Sequence, residues 1–189
     1  SGTSPEDVDY VMCTHMHADH IGWNTVLEDG RWVPTFPRAR YLFSRIEYEH
    51  WTAHPDPSPI RRNAFNDSVL PIVEAGRADM IEDGHEVDGT FHVELAPGHT
   101  PGNVHIRLAS NGSEAMFAGD VVHHPIQVYR PDWSTVACID PAASAASRRR
   151  LLETCCERGA LLLPAHFPAP HGGHVLDTGG GSALRWLAA

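Results

Sequence analysis

The sequence predicts a mixed α/β (α+β) fold, organised as a single domain over residues 1–189. Short apolar and β-branched segments alternate with longer stretches whose apolar residues recur at helical spacing, and turns rich in glycine or proline separate them. The 189 residues contain no internal repeat, low-complexity tract or linker, and their number suits one ordinary domain. One domain that combines strands and helices is therefore the simplest interpretation.

In the first part of the chain, Asp29-Gly30 is the turn signal of a small hairpin. The prolines at positions 55 and 57 should end the helix that precedes them, and Pro71 should kink or divide the helix that follows them. The predicted elements here are a buried strand at 8–14, a short helix at 19–24, a strand at 40–44 and helices at 46–53 and 60–75.

In the second part, the alternating segment 91–96 has the pattern of a half-buried strand. Asp140, Pro141 and Gly159 suit the N-cap, the first turn and the C-terminal end of one helix, along which Arg148, Arg149 and Arg150 should form a solvated turn. The remaining predicted elements are strands at 104–108, 115–118, 160–163 and, at a sheet edge, 184–187, with turns at 97–102 and 111–112.

Composition excludes several classes of protein. Lys and Arg number 14 against 24 Asp and Glu, which gives a net charge of −10. So acidic a chain is poorly suited to the phosphate backbone of a nucleic acid or to anionic lipid. No apolar run is long enough to span a membrane, and no segment resembles a signal peptide, so we expect a cytoplasmic protein with neither kind of partner. The four cysteines form no C-x-x-C pair, and Cys13 is expected to be a buried, small apolar residue.

Histidine is unusually frequent, with 14 residues, and four potential metal ligands fall within six positions after the first predicted strand. These are His15, His17, Asp19 and His20. Imidazole and carboxylate groups suit zinc and similar divalent ions. So short a segment cannot easily surround one small ion with all four side chains, and two adjacent ions are the easier solution.

Three further candidates, His99, Asp120 and His166, each follow a predicted strand on a loop flanked by Gly or Pro. Strand ends at one edge of a sheet converge, and a carboxylate with two oxygens can bridge two ions. The sequence therefore predicts two divalent ions, with zinc favoured, and open positions for water. The first ion takes His15, His17, His99 and Asp120, and the second takes Asp19, His20, His166 and Asp120.

The motifs also resemble a known family. The run from Thr14 to Gly22 (THMHADHIG) resembles the H-x-H-x-D-H signature of the metallo-β-lactamase-fold hydrolases, and residues 97–102, 119–120 and 165–167 resemble its later metal motifs in the same order. Four details are similar to the branch of N-acyl homoserine lactonases and methyl parathion hydrolase, namely GWN at 22–24, FP at 36–37, HHP at 123–125 and HFP at 166–168.

The resemblance implies a four-layer αβ/βα sandwich with the metals at one edge of its two sheets. Members of the family usually carry several strands before the first histidine motif, whereas only 14 residues precede His15 here. We therefore expect the N-terminal strands to be missing from this chain or supplied by another one. The exposed sheet edge that this would leave is a place where two copies could pair as a homodimer.

The expected activity is hydrolysis of a small ester or lactone by a dinuclear metal-dependent enzyme, in which a metal-bridging hydroxide attacks the carbonyl. Asp19 or Asp120 would orient the hydroxide and relay its proton, and either His123 or water would protonate the leaving alkoxide. One of His123 and His124 would contact the substrate or support a metal ligand, or both are ordinary loop residues. Tyr129 would donate a hydrogen bond to the substrate, or it packs against other side chains.

Alternatives within the fold are a phosphotriesterase, a β-lactamase and a thioesterase. A nuclease is disfavoured by the acidic charge, and a redox di-iron protein is disfavoured because such relatives usually have Glu in place of His17. An alternative of another class is a non-catalytic metal-binding module, which would leave no open position on the ions.

Overall fold

The computed structural model describes residues 2–188 and contains two compact units. The first unit ends at Glu82 and the second begins at Asp83. Both combine strands with helices, so the predicted mixed α/β fold class is confirmed, while the single domain stays a prediction. Among the described residues, no helix is both long enough and apolar enough to cross a membrane.

The first unit contains a three-stranded parallel sheet in the order β1-β4-β5 and a separate hairpin of β2 and β3. In the hairpin turn Asp29 and Gly30 both have positive φ angles, of 48° and 78°, as the predicted Asp-Gly turn requires. The strands are β1 (Tyr10–Met12), β2 (Thr25–Glu28), β3 (Arg31–Pro34), β4 (Arg40–Ser44) and β5 (Ala78–Ile81). The helices are α1 (Ala18–Ile21), α2 (Arg45–Ala53), α3 (Pro59–Ser68) and α4 (Leu70–Glu74).

Strand β4 is central, and its last four residues are buried, as expected of a strand covered on both faces. Tyr41 and Phe43 are almost fully buried in the core of this unit, together with Ile21 and Ile72. The helical stretch predicted at 60–75 is two helices, since α3 ends at Ser68 and Pro71 lies in the first turn of α4. Proline has no backbone N–H. It is tolerated in the first turn because an N–H at that position would have no acceptor within the helix.

The second unit contains a seven-stranded sheet in the order β12-β11-β10-β9-β8-β7-β6. Strands β9 and β10 are parallel, and the other neighbouring pairs are antiparallel. The strands are β6 (Glu86–Val87), β7 (Phe91–Leu95), β8 (Val104–Ser110), β9 (Ser113–Gly119), β10 (Leu161–Pro164), β11 (Gly173–Asp177) and β12 (Ser182–Trp186).

Two helices complete this unit, α5 (Ile126–Tyr129) and the long α6 (Pro141–Arg158). The predicted ends of α6 are confirmed. The Asp140 side chain accepts hydrogen bonds from the amides of Ala142 and Ala143, and Gly159 ends the helix in the left-handed conformation. Buried residues of α6 and of the sheet, including Leu151, form the core of the unit.

One prediction for α6 is wrong. Arg148 does not belong to a solvated turn, because it is 0% exposed, whereas Arg149 and Arg150 are exposed as expected. The helix turns each residue by about 100°, and Arg148 stands four residues after buried Ser144 and three before buried Leu151, so it lies on the buried face of α6.

Candidate metal centre

The first cluster lies in the first unit, in the connection between the end of β1 and the start of α1. The His15 ring centroid is 4.7 Å from that of His17 and 4.2 Å from that of His20. The Asp19 Oδ2 atom is 3.5 Å from His20 Nε2, and its side chain is 61% exposed. This connection thus brings together the four side chains predicted from the sequence, with His15 buried and the carboxylate of Asp19 open to solvent.

Local contacts orient this cluster. The hydroxyl of Thr14 is 3.1 Å from Nδ1 of His15, which fixes the plane of that imidazole ring. The backbone of His17 acts as the N-terminal cap of α1, so the chain turns between His17 and His20. Cys13 is buried as predicted, and burial raises the pKa of its thiol to about 11, which keeps it protonated and unreactive at neutral pH.

The second cluster lies in the second unit, around Asp120. The predicted bridging carboxylate has a different histidine on each oxygen: His99 Nε2 is 3.2 Å from Oδ2, and His166 Nε2 is 3.1 Å from Oδ1. The sheet explains this convergence, because β7, β9 and β10 run in the same direction and end at the same edge. Gly119 at the end of β9 pairs with Pro164 at the end of β10, which brings the following residues side by side.

The turn that carries His99 is held against the start of α6. The Asp140 amide donates to the Gly98 carbonyl at 2.9 Å, and the Ile139 amide donates to the His99 carbonyl at 3.0 Å. Gly98 has a φ of +128°, and a Cβ built at this position would come within 2.0 Å of the Ser144 amide nitrogen. Only glycine allows this close approach of two backbones, so the turn fixes His99 relative to a long, well-capped helix.

His123 belongs to the second cluster as well. Its Nε2 is 3.1 Å from Asp120 Oδ2, and its ring centroid is 4.7 Å from that of His99. His124 is exposed, and its Nδ1 accepts a hydrogen bond from the Ile126 amide. The geometry places His123, and not His124, beside the carboxylate.

Tyr129, for which packing was the other prediction, is 49% exposed, and its hydroxyl accepts a 3.4 Å hydrogen bond from the Leu184 amide. It takes no part in the contacts around the carboxylate that the structure describes.

Two residues that were not predicted to belong to the site hold the loop after Asp120 in place. The side-chain oxygen of Gln127 accepts hydrogen bonds from the amides of His123 and His124, at 2.7 and 3.1 Å. Buried Arg148 donates to backbone carbonyls of the same loop, beginning with Val121 at 2.8 Å. No sequence signal distinguishes these two residues from other polar positions, because their partners are backbone atoms of a folded loop.

A cavity of about 210 Å³ lies within the first unit, next to the first cluster. Its lining is mostly apolar and includes Met16, Trp51 and Phe65, with His17 on one side and Asp56 among the polar residues. The hydrogen bond from Arg61 lowers the pKa of Asp56, so this carboxylate is charged at neutral pH. The cavity offers space for an apolar group beside the imidazole of His17.

The donor sets of both clusters fit a divalent metal. In each unit, His and Asp side chains offer ligand atoms within 4.8 Å of one another, namely His15 with His17, Asp19 with His20, and His99 with Asp120. Buried imidazoles and a buried carboxylate in such proximity are the ligand types and spacing that zinc and related ions use. The chain therefore has His/Asp groups able to bind metal.

Comparison with known proteins adds the family. The model of the Metallo-beta-lactamase superfamily matches residues 1–166. The N-acyl homoserine lactonase AttM of Azorhizobium caulinodans is 28% identical over 178 residues, 88% of this chain and 61% of AttM. The N-acyl homoserine lactonase AiiA of Bacillus thuringiensis subsp. kurstaki is 23% identical over 165 residues, 87% of this chain and 58% of AiiA. The chain thus spans less than two thirds of the length of these relatives.

Solved structures agree with this result. The crystal structure of the hydrolase AbOPH in the beta lactamase superfamily matches with a TM-score of 0.86 and 26% identity, over 100% of this chain and 67% of that chain. AidC, a dizinc quorum-quenching lactonase, matches with a TM-score of 0.82 over the same shares, and its identity of 24% bears on the fold alone. Because the family model covers most of the sequence and the fold agrees, this chain belongs to the metallo-beta-lactamase superfamily, as its motifs predicted.

Proposed function

We propose that this protein is a dinuclear metal-dependent hydrolase that attacks the carbonyl of a small ester or lactone. The observation that carries the proposal is the geometry of Asp120, whose two oxygens each lie about one hydrogen-bond length from a different histidine, His99 and His166. A carboxylate in this arrangement is suited to bridge two ions, each of which takes one of the two histidines.

The proposed ligands are those predicted from the sequence. The internal geometry of each cluster supports the assignment, because the three imidazoles of the first cluster converge and Asp120 is central to the second. Zinc is proposed for both ions on the chemistry of nitrogen and carboxylate donors, although manganese, iron and cobalt accept the same set. One ion is assigned His15, His17, His99 and Asp120, and the other is assigned Asp19, His20, His166 and Asp120.

When bound, two such ions supply a hydroxide nucleophile at neutral pH and polarise the carbonyl under attack. The residues of the chain orient these groups. Asp19, whose carboxylate is exposed beside His20, accepts the proton of the attacking water. His123, with Nε2 3.1 Å from Asp120 Oδ2, donates a proton to the leaving alkoxide.

The proposed substrate is a small molecule with an apolar portion. The cavity beside His17 is mostly apolar and its volume of about 210 Å³ suits an acyl or aryl group. The net charge of −10 disfavours polyanionic substrates. An N-acyl homoserine lactone is the first candidate because the relatives at 28 and 23% identity are named N-acyl homoserine lactonases. The homodimer and the cytoplasmic location stay predictions.

Elemental analysis and hydrolysis assays test this proposal together. The purified protein should contain close to two divalent ions per chain. It should open an N-acyl homoserine lactone or cleave a generic aryl ester, and a chelator should abolish the activity. A metal content near zero after growth with added zinc would refute the metal centre. Two bound ions without turnover of esters, lactones, phosphotriesters, thioesters or β-lactams would instead favour a non-catalytic metal-binding module.

The bridging carboxylate is tested by Asp120→Ala, which should lower the metal content of both sites and abolish hydrolysis, because it removes a ligand from each ion. The matched control is Asp177→Ala, at an exposed position outside the proposed ligands. Full activity and metal content in Asp120→Ala would show that the assignment of the bridge is wrong.

A further inference from the structure

Glu47 is a buried acid that belongs to neither cluster of proposed ligands. It lies in the first turn of α2 and is only 1% exposed, although glutamate is almost never fully buried unless it is paired. One of its oxygens, Oε1, accepts two hydrogen bonds, from the Met16 amide at 3.0 Å and from Nε1 of Trp51 at 2.7 Å. Through this one acceptor atom, α2 is hydrogen-bonded to the segment after β1, and Glu47 is linked to Trp51 one turn further along the same helix.

Both donors lead directly to the first cluster. Met16 stands between His15 and His17, so holding its amide fixes the backbone that sets the direction of both imidazoles. The Trp51 ring lies 5.9 Å from the His17 ring and lines the apolar cavity. The position of this carboxylate oxygen therefore influences the direction of the two histidine side chains. It also influences the position of Trp51 in the wall of the adjacent cavity.

The pairing of two strands places Glu47 beside the segment that carries the two histidines. Strands β1 and β4 pair in parallel, with Met12 opposite Leu42, so the segments that follow them leave the sheet at the same edge. The segment after β1 carries the two histidines, and the segment after β4 is the start of α2, which carries Glu47. The bond from Met16 to Glu47 ties these two neighbouring segments together just beyond the sheet.

We infer that Glu47 is a positioning residue that sets the geometry of His15 and His17 for metal binding through the placement of Oε1. The inference rests on the proposed metal centre and extends it to a residue outside the ligand set. Groups that orient metal ligands in this way typically change metal affinity by roughly 10–100-fold when they are replaced.

Two substitutions separate position from charge. Glu47→Gln keeps an oxygen acceptor at the same distance from the backbone and removes the charge. Glu47→Asp keeps the charge and withdraws the acceptor by one methylene, beyond reach of at least one donor. Glu49→Gln and Glu49→Asp are matched controls, because Glu49 is exposed on the same helix.

Zinc affinity is measured by competition with a chromophoric chelator, and the visible absorption spectrum of the cobalt-loaded protein reports ligand geometry. Glu47→Asp should weaken zinc binding about tenfold or more and change the cobalt spectrum. Glu47→Gln should stay within a few-fold of the unsubstituted protein and keep its spectrum, as should both Glu49 variants.

The opposite pattern, with loss in Glu47→Gln and none in Glu47→Asp, would overturn the inference, because charge and not position would then matter. Unchanged zinc affinity in both Glu47 variants, or an equal loss in the Glu49 controls, would overturn it too. If the unsubstituted protein binds no zinc, the proposed function itself fails, and this outcome is distinct from the others.

Discussion

Replacing Arg148 tests how the loop after Asp120 is held in place, because the guanidinium of this residue is buried on the inner side of α6. Nε donates to the Val121 carbonyl at 2.8 Å, and Nη1 donates to the carbonyls of Pro131 and Trp133 at 2.7 and 2.8 Å. Nη2 donates to Ser144 Oγ at 2.9 Å. Burial lowers the pKa of the guanidinium from its usual range, and an arginine remains charged at pH 7.

The expected loss of unfolding free energy on replacing Arg148 follows from these hydrogen bonds. Replacing Arg148 by Met keeps much of the volume and removes four charge-assisted hydrogen bonds, each contributing about 1.5–3 kcal/mol. The cost of burying the charge is also removed, which is several kcal/mol and offsets part of the loss. The remaining penalty falls on the carbonyls of Val121 and Pro131, because the Trp133 carbonyl keeps a hydrogen bond from Nε2 of Gln127 at 2.8 Å. We expect the free energy of unfolding to fall by about 3–4 kcal/mol, a Tm decrease of roughly 6–16 °C for a chain of this size.

Unfolding of the Arg148→Met variant in urea is monitored by circular dichroism, and its thermal melt is measured as well. Arg149→Met is the matched control, because it makes the same change of charge at the neighbouring exposed position and should stay within about 0.5 kcal/mol of the unsubstituted protein. Arg148→Lys should be intermediate, since one ammonium group cannot reproduce the planar fork of donors.

Equal unfolding free energies for Arg148→Met and Arg149→Met would refute the reasoning. It would mean that the carbonyls of Val121 and Pro131 find other donors at no cost. The metal content of the same two variants provides a second, independent test. Val121 directly follows Asp120, so Arg148→Met should also lower the metal content, whereas Arg149→Met should not.

Substitutions at three other positions test the stability of the second unit. Gly98→Ala should lower the unfolding free energy in a urea titration by at least about 2 kcal/mol, because the added methyl meets the Ser144 backbone at 2.0 Å; stability equal to that of the unsubstituted protein would contradict this close approach. Asp140→Ala should cost about 1 kcal/mol in the same titration through loss of the α6 cap, and Asp140→Asn should retain most of it. The imidazole of His105, with Nε2 3.4 Å from Glu94 Oε2, lowers the pKa of Glu94 from 4.5 to about 2, so the stabilisation from this contact is present above pH 4.5 and is lost as the pH falls toward 2. Because the Glu94 side chain is 43% exposed, Glu94→Gln should reduce stability by only about 1 kcal/mol at pH 7, and a difference that persisted at pH 2 would contradict this account.

Much of the local structure could be predicted from the sequence, because its signals depend on neighbours along the chain. The turn at Asp29-Gly30 requires two positive φ angles, which these residue types accept readily. Asp140, Pro141 and Gly159 each satisfy a need of a helix end within three residues. The proposed metal ligands were recognisable for a similar reason, since their residue types are rare enough in such spacing to indicate coordination chemistry.

Some strands escaped prediction because their partners are distant in sequence. Strand β5 joins the first sheet beside β4, and its sequence of Ala, Asp, Met and Ile shows no alternation. Strand β11 follows a loop and owes its place to backbone bonds with β10 and β12 on its two sides. Two-residue β6 lies at the edge of its sheet, where it pairs with β7. For such segments the hydrogen-bonding partners, and not the side-chain pattern, decide the conformation.

The sequence by itself determined which side chains are available to bind metal and where the chain turns. It could not distinguish Arg148 from Arg149, or Glu47 from Glu49, because each pair has the same chemistry on the same helix. Only the tertiary structure decided that Arg148 and Glu47 are buried and hold the loops that carry the candidate ligands. The physical reason is that a charged group can be buried only where hydrogen-bonding partners surround it, and here those partners include backbone atoms as far as 31 and 27 residues away in the sequence.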